Sequence, residues 1–409
     1  MRTHRSLIHM LLMAAGCAAG AAHGARPQYD VDYHVRFLPD RGQAEVTISV
    51  APDEARITLL DFNMPPSRYS DATGDGKVER KGDRVVWTPP VDGGQFRYRH
   101  SIDHKRGSGY DAHITPDWVI ARGDDIIPPA RVRITRGGDS RARLRFELPP
   151  DWTTVDTQYR RSRDGSSFVV VNSERRFDRP TGWMIAGKLG VRLERLDGSL
   201  VSVAAPKGQA YPRLEILGYV NAVLPELEHL GGRLPTKLLI VGGGDPMWRG
   251  GLSGTRSLWL HADRPMISEN GTSPLLHELF HVTTRISGAK HEDWIAEGLA
   301  EYYSIELLYR ASLLSPERRD LGLDWMRSHG RKIKTLRARQ SQGPRTARAV
   351  ALFADLDREI RERTDEEKSL DDVVRRLVQL RQVSRPELDE VVEALLGGPS
   401  RSLDTPVLQ

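Results

Sequence analysis

The sequence predicts an α+β fold in which a β-rich N-terminal domain precedes a mixed domain and a helical C-terminal region. Apolar and polar residues alternate with a period of two through much of the first half, and helical spacing dominates from Ser273 onward. The 409 residues suffice for about two or three domains. With 28% charged and 39% hydrophobic residues, the composition is that of a globular protein.

The β-rich domain is predicted for residues 26–206. From Tyr29 to Phe37 apolar residues alternate with Asp, His and Arg, which is typical of a half-buried strand. Six similar runs follow, separated by clusters of Gly, Pro and Asp: Glu45–Val50, Arg84–Trp87, Phe96–His100, Val132–Ile134, Ala142–Leu148 and Phe168–Asn172. Short strands with turn residues between them favour a sandwich-like arrangement.

The pattern changes after Pro206. A helix is predicted from about Pro212 to His229, and a buried strand from Lys237 to Val241. The mixed domain would then occupy residues 207–335, and a helical region residues 336–396. The last residues, 397–409, are predicted to form a loose tail.

Residues 1–25 have the form of a signal peptide. A basic start, Met1–Arg5, precedes an apolar run from Leu7 to Ala22. The run is shorter than the about 20 residues of a spanning helix, so export to the periplasm or medium is predicted, with no transmembrane segment after signal removal. The single cysteine is Cys17, and Ala14–Cys17 weakly resembles a lipoprotein signal, which leaves a lipid anchor at Cys17 as an alternative.

The formal net charge is +5, from arginines spread through both halves with Asp and Glu interspersed. Nucleic-acid binding usually requires a concentrated basic stripe or a recognisable module, and neither stands out. The sequence therefore predicts a mildly basic, solvated surface and no nucleic-acid partner.

A metal site is predicted in the segment Ser273–His281, which reads Ser-Pro-Leu-Leu-His-Glu-Leu-Phe-His. Ser at the N-cap and Pro at the first position begin a helix cleanly. The spacing of four places His277 and His281 one turn apart on one face, where both rings can reach one zinc ion. Glu278 neighbours that face and can hydrogen-bond a water. The alternative is an amphipathic helix with surface histidines, which the strongly apolar surroundings disfavour.

The next helix offers a third ligand. Asp293 is predicted to cap the segment Trp294–Tyr303, in which Glu297 and Glu301 share one face. Glu297 is assigned as the third ligand, and Glu301 as the acceptor that orients a ligand histidine through its other ring nitrogen. A solvated surface charge is the alternative for Glu301. Two His, one Glu and an open position favour a single Zn²⁺.

With these motifs the chain resembles the gluzincin metallopeptidases, most closely the glycyl aminopeptidase family, a relative of the aminopeptidase N family. The family's zinc-binding glutamate lies in a segment like Trp294–Tyr303 and matches Glu297. Arg249–Ser257 resembles the family's Gly-Gly-Leu-Glu-His-x-x-Ser segment beside the substrate cleft. Later helical landmarks also have counterparts, Leu356–Arg361 and Ser369–Asp372. The resemblance implies that residues 207–335 form a thermolysin-like catalytic domain.

Two departures from the family affect the expected specificity and mechanism. Ser253 and Gly254 replace the family's Glu and His, so a carboxylate that would hold a substrate's free amine is missing. The tyrosine that stabilises the oxyanion in the family would fall at Thr346. Other donors are then needed, although residues of these types more often have a packing or surface role: the candidates are Tyr303, Tyr309 and His329.

The resemblance implies an exported zinc metallopeptidase that hydrolyses a peptide or protein substrate with a metal-activated water and Glu278 as general base. An edge strand near Ser257–Leu260 is expected to align the substrate backbone. The alternative is a catalytically impaired, zinc-binding interaction module, motivated by the two departures. Glu278 argues against it, since a structural site has no use for a base. Gly251–Thr255 lacks the closing glycine of a nucleophile elbow, which disfavours a serine hydrolase.

Overall fold

In the computed structural model, residues 26–172 and 177–409 are described, and the predicted signal peptide with Cys17 lies outside them. The chain is mixed α and β, as predicted. Its strands are β1 Gln28–Leu38, β2 Gln43–Pro52, β3 Ile57–Asn63, β4 Tyr69–Gly74, β5 Lys77–Lys81, β6 Arg84–Thr88, β7 Gly94–Ser101, β8 His104–Arg106, β9 Gly109–Ile114, β10 Trp118–Arg122, β11 Ala130–Ile134, β12 Asp139–Glu147, β13 Thr154–Thr157, β14 Arg160–Arg161, β15 Phe168–Val170, β16 Trp183–Gly187, β17 Leu189–Leu196, β18 Ser199–Pro206, β19 Lys237–Gly243, β20 Gly251–Gly254, β21 Ser257–His261, β22 Ser287–Gly288 and β23 Gln382–Val383. Its helices are α1 Gly123–Ile126, α2 Arg213–His229, α3 Pro274–Thr284, α4 Asp293–Arg310, α5 Pro316–Gly330, α6 Pro344–Arg363, α7 Leu370–Leu380 and α8 Arg385–Leu396.

The N-terminal half contains two sheets that face each other. A seven-stranded sheet has the order β14-β15-β12-β1-β2-β7-β4, and a four-stranded sheet has the order β11-β3-β6-β5. Phe96 of β7 stacks on Phe62 of β3 and on Trp87 of β6, with ring centroids 5.3 and 5.4 Å apart. Each of the seven segments that alternation predicted overlaps a strand, so these predictions are confirmed.

A third sheet of five strands, in the order β13-β16-β10-β9-β8, joins the two halves of the chain. Trp183 and Ile185 of β16 are fully buried, and they belong to a small core that also contains Leu239 and Trp259 from the second half. Because both faces of β16 are covered, all five of its residues are buried. The N-terminal half thus packs directly against the sheet that follows it.

The second half is built on a five-stranded sheet in the order β17-β18-β19-β21-β20. Strands β18, β19 and β21 run parallel, and β17 and β20 are antiparallel edges. Hydrogen bonding therefore joins residues 189–206 to β19, across the boundary expected near residue 206. The expectation that Ser257–Leu260 is an edge strand is wrong, because β21 lies between β19 and β20. The edge is β20.

Helices cover this sheet and form the rest of the chain. The helix and strand predicted at Pro212–His229 and Lys237–Val241 are confirmed by α2 and β19. Residues 397–409 do not form the loose tail that was expected. The carboxylate of Glu359 on α6 accepts hydrogen bonds from the Ser400 hydroxyl and the Ser402 N–H, each at 2.8 Å, and Leu403 is buried. In residues 26–172 and 177–409, no helix is long and apolar enough to cross a membrane.

Candidate metal centre

The first functional helix, α3, begins as its sequence predicts. The Ser273 hydroxyl accepts a hydrogen bond from the Leu276 N–H at 3.1 Å, and Pro274 occupies the first turn. Tyr219 of α2 donates to the same Ser273 hydroxyl at 2.5 Å. This fixed start sets the rotation of α3, and it directs one face of the helix toward α4.

Three side chains from α3 and α4 converge on one point: His277, His281 and Glu297. The two Nε2 atoms lie 3.2 Å apart, and each lies 3.4 Å from an oxygen of Glu297. A tetrahedral zinc with bonds of about 2.0–2.1 Å holds its ligand atoms about 3.3–3.4 Å apart. The spacing therefore fits three corners of one tetrahedron. The side chains remain between 14% and 29% exposed, so the cluster is partly accessible to solvent.

A fourth residue fixes the orientation of one histidine. Glu301 Oε2 lies 2.8 Å from His277 Nδ1, which leaves Nε2 of that ring facing His281 and Glu297. A carboxylate in this position sets the tautomer and the ring plane of a ligand histidine.

The electrostatics of the cluster favour a cation. Burial lowers the pKa of His277, but hydrogen bonds with Glu297 and Glu301 outweigh it and raise that pKa well above its ordinary value. Burial raises the pKa of Glu297, yet the bonds to His277 and His281 hold it well below its usual range. Two carboxylates thus bind a positive charge here, and a divalent cation can take the place of the proton.

The Glu278 carboxylate lies between this cluster and the edge strand β20. Its Oε2 accepts a hydrogen bond from the Ser253 backbone N–H at 2.6 Å. A Cβ atom on Gly251 would lie 3.3 Å from both Cγ and Oε1 of Glu278, so the strand passes directly beside the carboxylate. Glu278 is buried, with 9% of its surface exposed, and its negative charge acts on His277.

Strand β20 is held in place by hydrogen bonds from β16, which belongs to the N-terminal half of the chain. Trp183 Nε1 of β16 donates to the Leu252 carbonyl at 2.9 Å. The Trp183 N–H donates to the Ser257 hydroxyl at 2.8 Å, and that hydroxyl donates to the Thr255 carbonyl at 3.1 Å. Sequence reasoning missed Trp183, because no local motif marks it and its partner is distant in the chain.

The start of α4 is flanked by the loop between α5 and α6. Asp293 is the first residue of α4 rather than its predicted cap, and its Oδ2 accepts a hydrogen bond from the Ser341 N–H at 2.7 Å. Burial raises the pKa of Asp293. The Ser341 hydroxyl lies 3.2 Å from the hydroxyl of Thr346, where the resemblance placed the family's tyrosine. The loop thus reaches the helix one turn before Glu297.

Comparison with solved structures finds a match to the aminopeptidase N family protein from Idiomarina loihiensis. The TM-score is 0.64 at 13% sequence identity, over 93% of this chain and 74% of that one. The chain shares the fold of an aminopeptidase N family protein. No family model matches the sequence, and no curated protein matches it.

The structure gives each of the three predicted oxyanion donors a contact of its own. The Tyr303 hydroxyl donates to Asp371 at 2.8 Å and its ring stacks on Phe280, so this side chain is directed away from the face that carries Glu297 and Glu301. Tyr309, 38% exposed, packs against Arg319 and lies about 12 Å along α4 from Glu301. His329 stacks on Trp325 in α5. The structure does not bring either tyrosine to the cluster of His277, His281 and Glu297.

Proposed function

We propose that the protein is a zinc metallopeptidase whose single Zn²⁺ is held by His277, His281 and Glu297. The observation that carries the proposal is the spacing of the three ligand atoms, 3.2, 3.4 and 3.4 Å, together with the Glu278 carboxylate beside them. Two nitrogen ligands, one oxygen ligand and an open fourth corner are typical of catalytic rather than structural zinc.

A zinc ion in this position would supply a Lewis acid that lowers the pKa of water toward about 7 and polarises a carbonyl oxygen. Glu278 takes the proton from the attacking water and passes it to the nitrogen of the leaving amine. Glu301 holds His277 in the tautomer that presents Nε2. The buried setting of Glu278 limits the number of competing waters at the base.

Strand β20 supplies the surface for the substrate backbone. It is the edge strand of its sheet, and one of its N–H groups is bonded to Glu278 instead of a neighbouring strand. A peptide that adds to this edge would run past the general base and the cluster. We extend the proposal to a thermolysin-like catalytic domain behind a sandwich-like N-terminal domain, in an exported protein that acts on peptides or proteins.

The second candidate is a zinc-binding interaction module with impaired catalysis. It is favoured by the position of Tyr303 and Tyr309, since neither faces the cluster as an oxyanion donor. The Glu278 contact to β20 favours the peptidase, because a metal site that only stabilises the fold requires no aligned carboxylate next to an edge strand.

The test is incubation of the zinc-loaded protein with a mixed peptide pool, followed by mass spectrometry, with Glu278→Gln as the matched control. Gln preserves the shape of the side chain and removes the base. Cleavage that is lost in Glu278→Gln, at equal zinc content, supports the peptidase, and the new termini distinguish terminal from internal cleavage. Absence of cleavage by the zinc-bound wild type would contradict the peptidase proposal and favour the zinc-binding interaction module.

A further inference from the structure

One stretch of the chain departs from its otherwise interspersed charges. Residues 325–354 contain eight Lys and Arg residues and no Asp or Glu. Five of these cations fall in the loop 331–343, which joins α5 to α6: Arg331, Lys332, Lys334, Arg337 and Arg339. We call residues 331–343 the cationic loop.

The cationic loop is anchored at three points. Leu336 is fully buried, and its N–H donates to the Val407 carbonyl at 2.9 Å. The Ala338 N–H donates to the His291 carbonyl at 3.2 Å, just before α4. The Ser341 N–H donates to Asp293 at 2.7 Å. These anchors hold the loop in place while the side chains between them point into solvent.

The cations on this loop are largely uncompensated. Arg331, Lys332, Lys334 and Arg339 are exposed, and within residues 26–172 and 177–409 none of the four forms an ion pair. Arg337 alone approaches a carboxylate, that of Glu292, at 3.7 Å. Like charges placed close together without partners repel one another, so a binding partner that brings negative charge is favoured.

The position of the loop relates this charge to the candidate metal centre. Asp293, which receives the Ser341 N–H, and Glu297 are four residues apart on α4, so their Cβ atoms are about 5–6 Å apart. Exposed charges act over about 8 Å at physiological ionic strength. Arg339, two residues before Ser341, can therefore reach groups that flank a peptide bond held at the cluster, and Lys332 and Lys334 add to the positive charge of the same loop.

We propose that the cationic loop is a specificity element that selects acidic peptides, with Asp or Glu close to the bond that is cleaved. The inference rests on the proposed peptidase function and names its substrate class. Loop 331–343 contains no aromatic residue on which a nucleobase could stack, which disfavours a single-stranded nucleic acid. It also contains no exposed large apolar residue of the kind that enters a lipid interface.

The test compares two peptides that share one cleaved bond and differ only in Glu and Asp against Gln and Asn at the flanking positions. The loop variant is Lys332→Gln/Lys334→Gln/Arg339→Gln. The matched control removes three exposed cations far along the chain, Arg131→Gln/Arg192→Gln/Arg195→Gln. Exposed ion pairs are individually weak, and three of them together should give roughly a tenfold preference in kcat/KM for the acidic peptide.

The wild type and the matched control should keep this preference, and the loop variant should lose it while cleaving the neutral peptide at the wild-type rate. Added salt should reduce the wild-type preference in the same way. An equal loss on both peptides, or a lower melting temperature with an unchanged ratio, would overturn the proposal and make the loop a structural support.

A binding measurement separates this proposal from the peptidase assignment. Fluorescence anisotropy of the labelled acidic peptide with Glu278→Gln, with and without the loop substitutions, requires no turnover. If binding depends on the loop but the wild type cleaves no peptide, the proposed peptidase function is wrong and the preference for acidic peptides stands. Tighter loop-dependent binding of a DNA oligonucleotide, or of vesicles rich in phosphatidylglycerol, would overturn the choice of acidic peptides.

Discussion

Glu278 and Ser253 are joined across the candidate site by a hydrogen bond of 2.6 Å from the Ser253 N–H to the Glu278 carboxylate. The bond uses a backbone group of β20 that is not used for pairing with β21. This hydrogen bond therefore fixes the position of the proposed base, Glu278, relative to strand β20, the proposed substrate edge. A peptide aligned on β20 meets a base whose position the strand itself fixes.

Substitution at Gly251 is expected to disturb this register. In Gly251→Ala the new Cβ lies 3.3 Å from Cγ and Oε1 of Glu278, closer than ordinary contact, so the carboxylate must shift. A misplacement of 1 Å can cost about 100-fold in rate, and because this contact requires a shift of only a few tenths of an ångström, we expect kcat to fall by up to about tenfold at unchanged zinc content. Steady-state kinetics and metal analysis measure this. Gly244→Ala is the control, since its Cβ meets nothing within 4 Å; equal losses in both variants would refute the steric argument.

Removal of the Glu301 carboxylate is expected to weaken metal binding. Glu301→Gln replaces the charged acceptor at His277 Nδ1 by a neutral amide, a weaker acceptor that can also donate, so the tautomer that presents Nε2 is favoured less. Loss of such a partner costs about 10- to 100-fold in metal affinity. Competition with a chromogenic zinc chelator gives the affinity, and Glu215→Gln on α2, an exposed position, serves as the control. Unchanged affinity in Glu301→Gln would show that the contact does not orient the histidine.

The parts of the structure that sequence predicts are those with a local signal. Strands such as β1 alternate because one face is buried and the other is wet, and the spacing of four between His277 and His281 places both rings on one face of a helix. Strand β16 shows no alternation, since all five of its residues are buried between two layers. It was missed for that reason.

Other parts depend on contacts between distant segments, which no local pattern encodes. The edge position of β20 follows from the order of five strands, and it is not visible in the residues of β20 and β21 alone. Likewise, the Tyr303 hydroxyl finds its partner 68 residues away, at Asp371. Family resemblance assigns roles by position in a motif. It does not reveal which side chains already form hydrogen bonds with other buried residues.

Trp183 is expected to position β20 for the proposed reaction. Trp183→Phe keeps an aromatic ring in the core and removes the Nε1–H that binds the Leu252 carbonyl at 2.9 Å. A net hydrogen bond is worth about 0.5–1.5 kcal/mol, so local opening of β20 should rise by up to tenfold. Hydrogen exchange of a peptide covering residues 251–254 measures this without turnover. Faster exchange across the whole sheet, instead of in β20, would assign Trp183 to general stability.

Tyr303→Phe is expected to lower stability and leave the chemistry unchanged. The substitution removes a buried hydrogen bond to Asp371, which keeps its contacts to Arg310 at 2.7 and 3.0 Å. We expect a loss of about 1–2 kcal/mol in the free energy of unfolding, measured by denaturant titration, and kcat within about twofold of the wild type. Tyr309→Phe, at a partly exposed position, should change neither quantity. A loss of 100-fold or more in kcat at intact stability would make Tyr303 an oxyanion donor after all.

His100 is expected to make the N-terminal half sensitive to acid. Burial, with a smaller effect from the charge of Arg68, lowers the pKa of this side chain from 6.5 to about 3. Below pH 6.5 His100 is protonated in the unfolded chain but stays neutral in the folded chain. The free energy of unfolding therefore falls as the pH drops toward 3. The loss between pH 7 and pH 5 is about 2 kcal/mol. His100→Phe, which keeps a ring against Tyr69, should flatten this slope in denaturant titrations at pH 5, 6 and 7, whereas His34→Phe at a partly exposed position should not. Parallel slopes in the wild type and His100→Phe would place the acid sensitivity elsewhere.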